Sequence, residues 1–227
     1  MRVVRTKQGA RIVQEDVVLS EMLARPGPTH TLFDTLAAAI AALSPGPRVA
    51  MLGFAGGGVI APLRAMGFAH PVDAVDLSRD GEPLFRELSS AWAGEVNLFH
   101  EDAEAWLRCP RAPYHSILED LSTPSPLGVI KPYASIDTLP ALIRARLAPE
   151  GVCIVNVLPL PGTSWDELLH RVASPYGRSF VVTVPDYENR VVVAGDALPD
   201  VGRRLREALL RIGSDQVRGM RVRALAP

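Results

Sequence analysis

The chain has 227 residues, of which 48% are hydrophobic, and a formal net charge of −1. That length and apolar content suit one substantial domain and exclude a disordered chain, and the near-neutral balance excludes the global basic field that draws proteins to nucleic acid or acidic membranes. Cys109 and Cys153 stand far apart without CxxC spacing, so neither a disulfide framework nor a zinc site is expected and no metal ligand is assigned.

The first segment, MRVVRTKQGARIVQEDVV, carries charges throughout and lacks the apolar centre of a secretion signal. No apolar run approaches the ~20 residues of a membrane span, so a cytoplasmic setting is expected. Residues 1–27 have β character around Gly9 and end at the breaker RPGP, which marks them as a small strand or hairpin appendage to a domain spanning 28–227. A helix is expected from Thr29 through HTLFDTLAAAIAALS, stopped by PGP at 45–47.

The stretch RVAMLGFAGGG at 48–58 then passes from a short buried-strand run into glycines, and helical spacing begins at Val59. Glycine without a Cβ lets a ligand approach the backbone of such a strand-to-helix turn, so Gly53, Phe54, Gly56, Gly57 and Gly58 form a candidate cofactor cradle. The order GFAGGG departs from G-x-G-x-x-G, which disfavours a dinucleotide pyrophosphate.

Further strands are expected at 72–77, 95–99, 114–120 and 151–158, separated or followed by helices near 59–66, 81–91, 101–108, 134–147 and 164–173. SFVVTVPDYENRVVVAGD closes the series with two β runs too near each other for a helical crossover, hence antiparallel. The expectation is an α/β, Rossmann-like class I methyltransferase fold: a mostly parallel seven-stranded sheet ending in an antiparallel hairpin. The arginines at 203, 204, 206, 211, 218, 221 and 223 read as a solvated helix face.

Ligands of open α/β sheets lie beyond the carboxyl ends of the strands. Asp76, with Leu77 beside it, ends the second strand, where a carboxylate can accept ribose hydroxyls. Asp102 with Ala103 follows the third, placed either to meet an adenine amino group or to cap a helix. Glu119 and Asp120 leave the fourth on opposite faces of the pleat, so one of them faces the pocket.

These motifs resemble those of the spermidine synthase family and its spermidine-synthase-like relatives, over most of the chain. The family's GGGDGG loop corresponds to Gly53–Gly58, its ribose acid to Asp76, its acid-Ala pair to Asp102 and Ala103, and its DxxDP to Asp120–Pro124. The resemblance implies that Asp120 meets the amino group of the cofactor's propyl arm. Two departures stand out: Gly56 replaces the loop acid and Thr123 the second acid of DxxDP, which helps deprotonate the attacking amine.

Fewer acids favour intact S-adenosylmethionine, whose tail carries a carboxylate, over decarboxylated S-adenosylmethionine. The backbone amides at Gly56, Gly57 and Gly58 are candidate donors to that carboxylate. The expected function is a spermidine-synthase-like transferase acting on a small molecule, with methyl transfer favoured. Aminopropyl transfer in polyamine synthesis, with Glu119 as substitute acid, and a non-catalytic protein that retains the fold are the alternatives. Asp120, Thr123 and Tyr133 are the candidate catalytic residues, with His30, Phe33 and Asp34 able to reach the acceptor from the N-terminal helix. A small-molecule acceptor is the expected partner, nucleic acid and membrane are not, and a homodimer is left open.

Overall fold

A computed structural model describes residues 2–14, 17–125 and 128–225. The first three strands, β1 (Arg2–Arg5), β2 (Gly9–Gln14) and β3 (Val17–Leu23), form an antiparallel sheet. Helix α1 (Leu32–Leu43) follows, started by Thr31, whose Oγ1 accepts from the Phe33 amide. Parallel strands then alternate with helices: β4 (Val49–Leu52), α2 (Ile60–Ala65), β5 (Val72–Val75), α3 (Glu82–Ser89), β6 (Val96–Phe99), α4 (Ala103–Arg108) and β7 (Tyr114–Glu119). A small hairpin of β8 (Thr123–Ser125) and β9 (Gly128–Ile130) precedes α5 (Leu139–Arg146), β10 (Leu147–Val157) and α6 (Trp165–Ala173).

The antiparallel closing strands are β11 (Arg178–Thr183) and β12 (Arg190–Gly195), joined through the PDYEN segment as its shortness requires. The main sheet has eight strands among the described residues, one more than expected, because the chain continues through α7 (Val201–Arg211) into β13 (Arg221–Ala224), which pairs with β11. The arginine-rich tail is thus partly helix face and partly edge strand. The four-residue RVRA run, with only Val222 partly buried, is too short and too charged to announce itself by alternation.

The pleat divides the core in two. Val49 and Met51 of β4 point into the layer containing α1, α2 and α7, and Ala50 and Leu52 into the layer containing α4, α5 and α6. Burial on both faces is why β4 reads as an unbroken apolar run. The strand order β13-β11-β12-β10-β7-β4-β5-β6 reverses between β4 and β7, which places the switch point beside Gly53 and Asp120. Among the described residues no helix is long and apolar enough to cross a membrane.

The N-terminal sheet is packed onto the glycine turn. Ile12 and Met22 are buried in the same core layer as α1 and α2. A Cβ added at Gly56 would lie 2.7 Å from Met22 Sδ and 2.9 Å from Ile12 Cδ1. The Gly58 amide donates to Ser20 Oγ at 3.0 Å. Gly57, at φ +73°, would push a Cβ to 2.6 Å from the Phe54 ring.

The closeness demanded by these contacts generates a prediction about stability. Ser20→Ala leaves the buried Gly58 amide without its acceptor and should cost about 1–3 kcal/mol in denaturant unfolding. Gly56→Asp, which restores the acid of the GGGDGG pattern, should be destabilised by at least the ~1–3 kcal/mol of overpacking, because the side chain enters the space of Met22 and Ile12. Wild-type stability in both would mean that the sheet does not bear on the turn.

Candidate functional site

A cavity of about 770 Å³ opens over the carboxyl ends of β4, β5, β7 and β10. Gly53, Phe54 and Ala55 line it from the glycine turn, Asp76 to Ser78 from the end of β5, and Asp120 to Ser122 from the end of β7. The N-terminal sheet closes it with Arg11, Val17 to Leu19 and Glu21, and the β11–β12 connection adds Tyr187 and Asn189.

Asp76 stands where expected, but much of its hydrogen-bonding capacity is spent on the protein itself. Its Oδ2 accepts from the Phe54 amide at 2.8 Å and the Ala55 amide at 2.7 Å, and its Oδ1 accepts from the Ser78 amide at 2.9 Å. A carboxylate has about four lone-pair sites, so one on Oδ1 is left to accept a further hydrogen bond. The three bonds hold the turn in a conformation with Gly53 at φ +89° and Ala55, a residue with a Cβ, at φ +50°. Gly53 needs to be glycine because a Cβ there would sit 2.5 Å from the Asp120 carbonyl oxygen.

The amides expected to cradle an anion are mostly taken: Gly57 donates to the Phe54 carbonyl and Gly58 to Ser20. Leu77 lines the cavity and is 77% exposed. Asp102 is the N-cap of α4, its Oδ1 accepting from the Ala105 amide, and neither it nor buried Ala103 is on the cavity wall. The capping alternative describes its place.

Pleat alternation separates the two acids of β7. Glu119 is 1% exposed and Lys131 0%, and they meet at 2.7 Å. Lys131 Nζ also donates to the Leu121 and Asn156 carbonyls, while Glu119 Oε1 accepts from the Leu121 amide and Ser135 Oγ. Glu119 is therefore a sealed structural charge and cannot stand in for a missing base. Asp120 turns to the cavity. Its Oδ1 accepts from Asn156 Nδ2 at 2.7 Å, and Asn156 Oδ1 accepts from Asn189 Nδ2 at 2.9 Å. Burial pushes the Asp120 carboxyl from 3.8 up to about 6, against the opposing pull of the Asn156 hydrogen bond.

The other candidates lie elsewhere. Thr123 is exposed on β8, and Tyr133 is 59% exposed with its hydroxyl accepting from Arg171; neither reaches the cavity. Asp34 is wholly buried, accepting from Thr29, from the His30 amide and from Ser214 Oγ, and His30 pairs with Asp215. Of the three acceptor candidates on that segment, Phe33 lines the cavity. Sequence reading passed over Glu21, Asn156, Tyr187 and Asn189. Their available signal was a polar residue inside an apolar run (VVLSEML and CIVNV) and a polar cluster in the hairpin connection, PDYEN.

No protein-family model and no curated protein sequence matches the chain. Solved structures do. A spermidine synthase in complex with the transition-state analogue AdoDATO superposes with a TM-score of 0.69 at 10% identity, covering 95% of this chain and 80% of that one. Spermidine synthase from Thermotoga maritima gives 0.64 at 10% identity, covering 95% and 79%. Human methyltransferase-like protein 13 in complex with SAH gives 0.58 at 17% identity, covering 80% and 88%. The chain has the spermidine-synthase-like class I methyltransferase fold.

Two measurements follow from the β7 acids. Lys131→Met should cost about 3–5 kcal/mol, because it strands the buried Glu119 charge, and combining it with Glu119→Leu should recover most of the loss. Asp120→Asn, which keeps an acceptor for Asn156 but cannot ionise, should be more stable than wild type at pH 7.5 and indistinguishable from it at pH 3.5. The sign follows from a folded-state value of about 6 above 3.8: the folded state holds the proton more tightly, so wild-type stability declines as pH rises from about 4 through about 6 and stays lowered above. Melting curves across that range would read it, and a variant gain independent of pH would refute the assignment.

Proposed function

We propose that the protein binds S-adenosylmethionine across the strand ends of the main sheet and transfers its methyl group to a small-molecule acceptor. The observation that carries this reading is the position of Asp120: it is the β7 acid on the cavity wall, while Glu119 is sealed by Lys131 and Thr123 and Tyr133 face solvent. A diamine acceptor needs one acid to take the proton of the attacking nitrogen and others to hold its remaining charge. Methyl transfer asks for less, namely an aligned nucleophile, one proton acceptor and a dry site.

The residues present suit such a cofactor. The cavity lies within the ~300–1,000 Å³ range of small-molecule sites. Asp76 keeps one acceptor position for a ribose hydroxyl, with Ser78 and Asp80 beside it on the rim, and Phe54 gives an apolar wall. The cofactor supplies an activated methyl on a sulfonium. Asp120, held through Asn156 and Asn189, accepts the acceptor's proton. With its carboxyl near 6 it is ionised at neutral pH yet basic enough to serve.

Aminopropyl transfer remains the second reading, favoured by the 95% coverage of this chain in superposition on spermidine synthases. Calorimetric titration separates the two. Intact S-adenosylmethionine and S-adenosylhomocysteine should bind more tightly than the decarboxylated cofactor and methylthioadenosine. Asp76→Ala should weaken binding by about 1.5–3 kcal/mol. Once an acceptor is in hand, turnover should fall as pH drops below about 6, and Asp120→Asn should lower kcat by ~10²–10⁴-fold and remove that acidic limb. Heat of binding from none of the four nucleosides would overturn the proposal.

A further inference from the structure

Glu21, on the wall of the cavity, carries a carboxylate oxygen that no described residue serves. Glu21 is 6% exposed, and its Oε2 is buried without a hydrogen-bond partner among the described residues. Its Oε1 accepts from Arg11 Nη2 at 2.9 Å, and the two residues are directly opposite in the β2–β3 ladder, so the strand register itself holds the pair. Both line the cavity. A buried carboxylate oxygen with no donor costs free energy in the empty protein, and a bound molecule that brings a donor removes that cost.

We infer that Glu21 is the specificity-determining residue for the acceptor, and that the acceptor is an uncharged, largely apolar molecule whose O–H or N–H donates to Glu21 Oε2. The inference rests on the methyl-transfer reading of the cavity. Two observations select an uncharged molecule over a polyamine chain. The Glu21 charge is already compensated by the Arg11 guanidinium, so an added ammonium would meet a neutral pair whose cation sits at the rim, with Arg11 44% exposed in its side chain. The cavity that the pair lines also has Val17, Leu19, Phe33, Val129, Leu158 and Tyr187 on its walls, against which an unpaired ammonium would lose its hydration without replacement. A molecule with an aromatic body for the walls and one phenolic O–H or amide N–H for Glu21, apart from the nucleophile whose proton goes to Asp120, satisfies both conditions. The orphan oxygen then reads the presence of that donor, because an otherwise equal molecule without it leaves the oxygen buried and unpaired.

The test uses 4-ethylphenol, its methyl ether 4-ethylanisole, which has no donor, and putrescine, measured by ligand-observed NMR titration with and without saturating S-adenosylhomocysteine. The protein should bind the phenol roughly ten- to a hundredfold more tightly than the ether, the span of a hydrogen bond to a charged group. Putrescine should not displace the phenol. Glu21→Leu should bring phenol and ether to within about twofold of each other. Equal binding of phenol and ether by wild type, displacement by putrescine, or a preference that survives Glu21→Leu would each overturn the inference. The wild-type comparison decides alone if the leucine variant does not fold. The arm without the nucleoside keeps the two questions apart: failure to bind S-adenosylhomocysteine counts against the methyl-transfer reading, and loss of phenol discrimination against the role of Glu21.

Discussion

Two full charges lie at the centre of the molecule with almost no access to solvent, and the site is arranged around their pairing. A buried ammonium needs partners, and Lys131 has three: the Glu119 carboxylate and the carbonyls of Leu121 and Asn156. Those groups belong to the end of β7, the turn after it and β10. One ammonium therefore pins the segments that carry Asp120 and Asn156, the two polar side chains at the back of the cavity. A buried pair of this kind is a poor source of net stability, since desolvation offsets most of its attraction. Here its value is positional, because the pleat that sends Glu119 inward to Lys131 sends Asp120 outward to the cavity.

The glycine turn is held from two other directions. Asp76 grips it from β5 through the Phe54 and Ala55 amides, and the N-terminal sheet presses on it through Ile12, Met22 and Ser20. The glycines are thus demanded first by protein packing. Gly53 lets the chain pass the end of β7, Gly56 makes room for Met22, and Gly57 makes room for Phe54. Any ligand meets a turn whose shape is already set, which lowers the ordering cost of binding. The N-terminal sheet is at once a support of the turn and the wall that brings Arg11 and Glu21 to the cavity.

The distribution of acids gives the chemistry its direction. Asp120 is raised toward neutrality by burial, Glu21 is neutralised by Arg11, and Glu119 is consumed by Lys131. On the proposed reading Asp120 takes one proton and Glu21 holds one donor, while Asp76 and Asp80 lie on the nucleoside side of the cavity. The relation to spermidine synthase structures is one of fold, at 10% identity.

The sequence alone determined the alternating strands and helices from β4 to β12, because both periodicities that encode them are local: buried parallel strands read as unbroken apolar runs, helices as spaced ones, and PDYEN was too short for a crossover. It also placed Asp76 at a strand end, and predicted from pleat alternation that one of Glu119 and Asp120 would face inward and one toward the site. What it did not decide was which one. That depended on Lys131, twelve residues on, folding back beneath β7. Asp102 was ambiguous between a cap and a ligand contact because a helix N-terminus asks for the same residue in both cases. Thr123 followed the motif in spacing but stands exposed where β8 pairs with β9, and Tyr133, named without a motif, turns its hydroxyl to Arg171 outside the cavity. Glu21, Asn156 and Asn189 became a site only when three segments far apart in the chain were brought over the same strand ends, a relation that no local pattern encodes.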